Sequence, residues 1–348
     1  MRVDNQQQRL GRHDLVVRGA TTLALVAGTG YLVWRATNLG PHAWLSIPLF
    51  LLEVWGLAQL GLLAQLGWTR RRPLPTASGD APSPDQPVDA VVTCTFQEPE
   101  ELERTLIACR SLQYVDRLIV VVRAGRPALA ATAERCGVTA IEAEGNHVDQ
   151  FLTGMAAGRA PLVAWIEAGQ VPMPDLVSNC AAVAADPAVA VVQARHGMIN
   201  GDSLSAMRGG RDEDAFRQEV AYPAQGRRGT APWIGGGSVV RVEALHSIGE
   251  LDTGDQAALG RALIRLHRHG WTSRFWGERP LLLDTAPDSL EAYLTLRRRR
   301  AIEALRVYAT PESPLHTPGL SLAQRLRHVA HGASYLTAVR QLGLTVVL

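Results

Sequence analysis

From Leu45 to Trp68 the chain runs for 24 residues with a single ionisable side chain, Glu53. The hydrocarbon core of a bilayer takes about 20 apolar helical residues to cross, so this segment predicts a helix with lipid around it. Glu53 lies near its first third, with Gln59 and Gln65 further on. A charge at that depth costs about 2.5–3.5 kcal/mol in lipid, so Glu53 is expected to face protein. A shorter run, Gly19–Trp34, holds sixteen uncharged residues between Arg18 and Arg35, whose side chains can snorkel to the interface. Two spans are therefore expected, residues 16–36 and 44–68, after a tail at 1–15. A cleaved signal peptide is the rival reading of the first run, because Arg2, Arg9, Arg12 and Arg18 precede it. The second span following so closely weighs against cleavage.

Orientation follows from the arginines. Four of them precede the first run and Arg70, Arg71 and Arg72 follow the second, whereas the loop between holds only Arg35. The expected topology is thus a multi-pass protein of the cell membrane with both termini and the main domain in the cytoplasm. Residues 69–88, rich in Pro, Ser, Asp and Gly, read as a linker. All 35 basic residues are Arg, and the net charge of +2 is too small to imply a nucleic-acid partner. Cys94, Cys109, Cys136 and Cys180 show neither metal-ligand nor disulfide spacing, which suits a reducing compartment.

From Asp89 the pattern changes to short apolar runs separated by helical stretches: Ala90–Thr93, Arg117–Val122, Leu162–Ile166 and Val189–Val192. Such alternation predicts an α/β domain, residues 89–310, with a mostly parallel sheet. Ligands of such sheets bind beyond the carboxyl ends of the strands, which points to Cys94–Pro99, Arg123–Arg126, Glu167–Val171 and Gln193–His196.

The turn after the first of these strands, Thr95-Phe96-Gln97-Glu98-Pro99, resembles the Thr-Tyr-Asn-Glu-Pro turn of the cellulose-synthase-like, processive membrane branch of the family-2 glycosyltransferases. Val189–His196 is similar to the strand after that family's metal motif, and Ile234–Ser238 with Arg241, Ala244 and Leu245 to its small-residue acceptor turn. Leu266–Trp271 resembles a family helix end, and Ala292-Tyr293-Leu294 with Arg297–Arg299 the start of its membrane-facing helix. Glu53 also fits the pattern, and the likeness spans about residues 16–345.

The resemblance implies a GT-A-like domain with Thr95, Glu98, Glu167 and Arg299 towards the nucleotide and Gly235, Gly236, Gly237 and Ser238 towards the acceptor. It also shows what is missing. A transferase of this kind neutralises its leaving diphosphate with Mg²⁺ or Mn²⁺ on carboxylates and needs a base for the acceptor hydroxyl. The family's acidic pair after the second strand is replaced by Arg123-Ala124-Gly125, and its Asp-Ala-Asp metal motif by Glu167-Ala168-Gly169. Its Thr-Glu-Asp base motif falls on Ala257-Ala258-Leu259; an insertion of four residues, about one helical turn, would put Thr253-Gly254-Asp255 there instead. Its Gln-x-x-Arg-Trp motif falls on Leu296–Arg300, keeping only Arg299.

Residues 318–348 carry apolar positions Leu322, Leu326, Val329, Ala333 and Leu336 at spacings of four and three, which predicts an amphipathic interfacial helix. The chain stops at Leu348, so a polymer channel of its own is not expected.

The expectation is a membrane-bound pseudoenzyme that partners other membrane proteins of cell-surface polysaccharide synthesis, with no cofactor. Two rivals stay open. One is an active, divergent transferase using Glu167, Asp255 and Arg299 with Mg²⁺ or Mn²⁺, moving sugar to a lipid or glycan at the cytoplasmic face. The other is a module that senses a uridine nucleotide or nucleotide-sugar through Thr95, Glu98 and the Gly235–Ser238 turn.

Overall fold

The computed structural model describes residues 2–40, 42–67, 86–200 and 215–347. It divides into two compact units, residues 1–70 with 322–348, and residues 71–321. Most of the expected linker lies outside the described residues.

The first unit opens with α1 (Arg2–Thr37) and α2 (Ala43–Gly67). α1 takes in the expected tail, because no proline interrupts it and its Gln, Arg and Leu residues favour a helix despite Gly11. Among the described residues, the one helix long and apolar enough to cross a membrane is α2, over Trp44–Ala64. The second of the two expected spans is therefore present by length and composition, whereas the first forms helix without reaching that threshold.

The second unit begins with alternating strand and helix: β1 (Val88–Cys94), α3 (Pro99–Cys109), β2 (Arg117–Arg123), α4 (Pro127–Arg135), β3 (Ala140–Ala143), α5 (His147–Ala157) and β4 (Leu162–Glu167). After β4 come β5 (Val171–Pro172), α6 (Leu176–Ala184), β6 (Val189–Ala194) and β7 (His196–Met198). Residues 217–221 form a π-turn that leads into α7 (Tyr222–Gly226). The unit closes with β8 (Ser238–Arg241), α8 (Val242–Ser247), α9 (Ala258–Arg268), β9 (Thr272–Trp276), β10 (Leu282–Asp284) and α10 (Leu290–Arg306). The four strands expected from sequence lie inside β1, β2, β4 and β6.

Seven strands make one sheet in the order β3-β2-β1-β4-β8-β6-β9, parallel except for β8, which runs antiparallel to both its neighbours. β5, β10 and β7 form a small second sheet. The expected α/β, mostly parallel architecture holds. The chain leaves β1 towards β2 and β3 and then returns to lay β4 on the other side of β1, so the strand order reverses there and a crevice opens at their carboxyl ends.

Burial on both faces explains why the central strands are continuous apolar runs: every residue of β1 is buried. Between α5 and the sheet, Trp165 stacks on Phe151 with centroids 4.4 Å apart, meets Trp233 edge-on, and donates its indole N–H to Thr93 Oγ1 at 3.1 Å. Arg241 is buried and donates to the carbonyls of Val189 and Ala184, which ties β8 to both ends of the α6–β6 connection.

α11 (Leu322–Ala333) and α12 (Thr337–Val347) return the chain to the first unit. A 3₁₀ turn at Ser334–Leu336 divides the expected single C-terminal helix in two. Both pieces lie along α2: Gln59 Nε2 donates to the Ala333 carbonyl at 3.0 Å, and Gly343 packs against Leu52. Glu53 faces protein as expected, accepting from Tyr31 Oη at 2.9 Å with Arg35 Nε at 3.6 Å.

Candidate functional site

The crevice between β1 and β4 is built from three backbone turns. The first follows β1. Gln97 folds back so that its Oε1 accepts from the amides of both Thr95 (2.9 Å) and Phe96 (3.1 Å), while Thr95 Oγ1 donates to Gln150 Oε1 at 3.2 Å. Glu98 is the N-cap of α3 in a reciprocal capping box with Glu101, whose Oε2 accepts the Glu98 amide at 2.9 Å, and Pro99 follows at the first helical position. Arg126 fastens this turn from β2's side, donating to the Gln97 carbonyl at 2.9 Å and pairing with Glu98 at 3.3 Å. Burial pushes the Cys94 thiol up to about 12, the nearby Arg126 charge offsetting only part of this, so Cys94 packs and is no nucleophile.

The second turn follows β4. Glu167 Oε1 accepts from the Gly236 amide at 3.1 Å, and the Glu167 amide donates to Gln170 Oε1 at 2.9 Å. Gly169 has φ +94°, a conformation that strains any L-residue, and a Cβ placed on it would stand 3.5 Å from Glu101 Oε1. Its amide donates to Thr105 Oγ1 at 2.9 Å, and its carbonyl accepts from Arg104 Nη2 at 3.1 Å.

The third turn is Gly235-Gly236-Gly237-Ser238, leading into β8. It is glycine because side chains crowd it: a Cβ on Gly235 would lie 2.9 Å from Glu167 Oε1, one on Gly236 2.3 Å from Gln170 Oε1, and one on Gly237 2.9 Å from His196 Nε2. Ser238 Oγ donates to the Gly235 carbonyl at 2.8 Å and accepts from Trp233 Nε1 at 3.1 Å. Gln193 Nε2 donates to the Gly236 carbonyl at 3.0 Å. His196 completes the clamp, with Nδ1 2.7 Å from Asp284 Oδ2 and Nε2 3.0 Å from the Gly236 carbonyl. Both backbone polar groups of Gly236 are thus held, its N–H by Glu167 and its C=O by His196.

Glu167 and the Gly235–Ser238 turn, named from sequence, do come together, and Thr95 and Glu98 stand at the end of the neighbouring strand. Asp255 and Arg299 are placed otherwise. Asp255 caps the approach to α9 through the Ala257 amide (3.1 Å) and pairs with Arg306 (2.8 Å) and Arg261 (3.4 Å). These partners occupy both carboxylate oxygens of Asp255 with charge and backbone from α9 and α10. The neighbour of Gly235 from α9 is Leu259, 3.8 Å from the Gly235 Cβ position, so an apolar residue stands beside the turn. Arg299 pairs with Glu303 one turn along α10, a helix without a buried residue. Sequence reasoning missed Asp284 and Arg104, whose parts depend on contacts 88 and 65 residues away, while Gln170 lay within the strand-end segment Glu167–Val171 without a signal of its bond to the Glu167 amide. His196 stood among the strand-end residues but carried no signal of its role.

The residues present do not fit a catalytic divalent cation. Such an ion wants several oxygens converging on one point. Here one Glu167 oxygen is taken by a backbone N–H and the neighbouring motif position has no side chain. Among the described residues no group of three or more His, Cys, Asp or Glu is arranged to hold a metal.

Comparison with known proteins places the scaffold. A mannosyltransferase from Pyrobaculum calidifontis, solved in complex with GDP-Man and Mn2+, superposes with a TM-score of 0.64 over 87% of this chain and 86% of that one, at 17% identity. The fold is that of a GT-A glycosyltransferase. Glucosyl-3-phosphoglycerate synthase from Mycobacterium tuberculosis, solved with Mg2+ and uridine-diphosphate, is more distant, with a TM-score of 0.46 at 15% identity over 68% of this chain and 83% of that one. No family model matches the sequence, and no curated protein matches it.

Proposed function

We propose that this chain is a membrane-anchored member of the cellulose-synthase-like branch whose GT-A domain no longer transfers sugar. In this reading it serves as a partner or regulatory subunit of a machinery that builds cell-surface glycan. One observation carries the proposal: the single carboxylate left at the metal position, Glu167, is bonded to the backbone of the acceptor turn. A group that once would have held a cation against a diphosphate now holds one loop against another. The glycine at 169 and the leucine at 259 support the same reading, since they stand where the resemblance implies the second metal ligand and the base. The apolar span Trp44–Ala64 supports anchoring, and the arginine distribution supports reading the domain as cytoplasmic.

The test is a turnover assay on purified full-length protein in detergent with GDP-mannose or UDP-glucose and Mn²⁺, following both transfer and hydrolysis. The expected result is no turnover above the blank for the natural chain, Glu167→Ala and Asp255→Ala alike. Metal-dependent turnover abolished by either substitution overturns the proposal.

A further inference from the structure

α12 runs antiparallel to α2, and its contacts fix the level of each residue along that helix. Thr337 lies by Gln59, Arg340 by Gly56 and Gly343 by Leu52. Gly56 stands eight residues from the Ala64 end of the apolar span and twelve from the Trp44 end. At a rise of 1.5 Å per residue that is about 12 Å and about 18 Å, so the Arg340 guanidinium sits well inside the apolar layer that α2 is long enough to cross. Glycine admits it there: Nη1, Cζ and Cδ of Arg340 lie 3.0, 3.5 and 3.9 Å from the place a Cβ on Gly56 would take. Gly343 likewise brings α12 close, with a Leu52 methyl 3.1 Å from its own Cβ position.

A cation at this depth is costly unless a negative charge meets it. Among the described residues no carboxylate pairs with Arg340, and its Nε is buried without a hydrogen-bond partner. Glu53, the one carboxylate of the span, is engaged by Tyr31 and Arg35. A second copy of this chain would therefore bring a carboxylate that is already matched. Lipid phosphates lie beyond the ends of the apolar layer, whereas the Arg340 side chain is laid across Gly56. Beside it, Val339 and Leu342 on α12 are 56% and 67% exposed, an apolar surface for a further helix.

We propose that Arg340 is the docking point for a second membrane protein, whose transmembrane helix packs on α12 and α2 and carries an Asp or Glu to the guanidinium. This inference rests on reading the chain as a membrane-anchored partner subunit, and it names the surface and the chemistry by which the partner is held.

The test is blue-native electrophoresis with mass spectrometry on the affinity-tagged full-length protein, solubilised in digitonin from membranes of its own organism. The expected result is a complex with a protein that has a carboxylate inside an apolar span. Arg340→Leu should lower the yield of that protein at least about tenfold, since stranding one half of a buried charge pair is costly, and Arg340→Lys should keep most of it. Both variants should keep the Tm of the natural chain. Exchanging the charges, with Arg340→Asp set against arginine in place of the other protein's carboxylate, should restore the complex, and this pair decides the matter if Arg340→Leu lowers Tm. A complex that survives Arg340→Leu, a companion with no carboxylate inside its span, or an exchanged pair that fails to bind each overturns the inference and leaves the partner-subunit reading standing. Anionic lipid alone, or nothing, retained with the chain overturns both. Sugar turnover by the same sample would overturn the non-catalytic reading alone.

Discussion

Two glycines and one glutamate decide what the crevice can do. Gly235 has φ +103° and its missing Cβ would lie 2.9 Å from Glu167 Oε1, so Gly235→Ala combines backbone strain with a steric clash. The strain alone is worth about 1–3 kcal/mol. Thermal melting of Gly235→Ala, Glu167→Ala and the double variant separates the two parts. The double variant should melt above the sum of the single losses, because shortening Glu167 removes the clash and leaves only the strain. Simple additivity would mean that the carboxylate is not where the geometry puts it. At Gly169 an acid restores the residue type of a metal motif but not its geometry. Gly169→Asp is expected to lower Tm and to gain no Mn²⁺ affinity by calorimetry.

At the scale of elements, α9 is tied to the loop before α10's C-terminal neighbour by charge. Arg261 donates to both oxygens of Glu312 at 3.0 and 3.1 Å, and Arg265 adds a bond of 2.7 Å. Burial works against the Glu312 charge, but the hydrogen bonds from Arg261 and then Arg265 outweigh it and hold the carboxyl at about 2, against 4.5 unperturbed. Its folded value is depressed, so its contribution is complete above about pH 4.5 and is lost as pH falls towards 2. Glu312→Gln should therefore flatten the acid limb of a circular-dichroism pH titration between those values while lowering Tm at neutral pH. Elements also set the limits of what the sequence discloses. β1, β2, β4 and β6 were legible because burial on both faces demands unbroken β-branched and apolar runs. β8 was not, since it is four residues long, starts directly from a glycine turn, and is recruited as an antiparallel strand by β4 and β6, whose paired residues are 45 to 79 positions away. The site divides the same way. Strand ends locate Thr95, Glu98 and Glu167, whereas Asp284 reaches His196 from β10 with nothing local to announce it.

For the molecule as a whole, all four cysteines are buried, and burial pushes Cys109 as well as Cys94 up to about 12 and Cys180 higher still. The native thiols should stay silent towards a maleimide at pH 7.5 and react only as the protein unfolds. That silence makes the proposed topology measurable by single introduced cysteines. Asn38→Cys, on the loop after α1, should label in intact cells with a membrane-impermeant maleimide, and Glu134→Cys, on α4, only after lysis. The reverse pattern would invert the orientation, and labelling of both in intact cells would remove the cytoplasmic placement. Both units keep polar groups in intimate use rather than leaving them to solvent, as Glu53 with Tyr31 and the Gly236 peptide between Glu167 and His196 show. An aspartate at Gly169 would have to adopt φ +94°, with its Cβ 3.5 Å from Glu101 Oε1. The backbone of this turn must therefore be remade before an acid can sit there without strain, so a single substitution does not write a metal motif into this position.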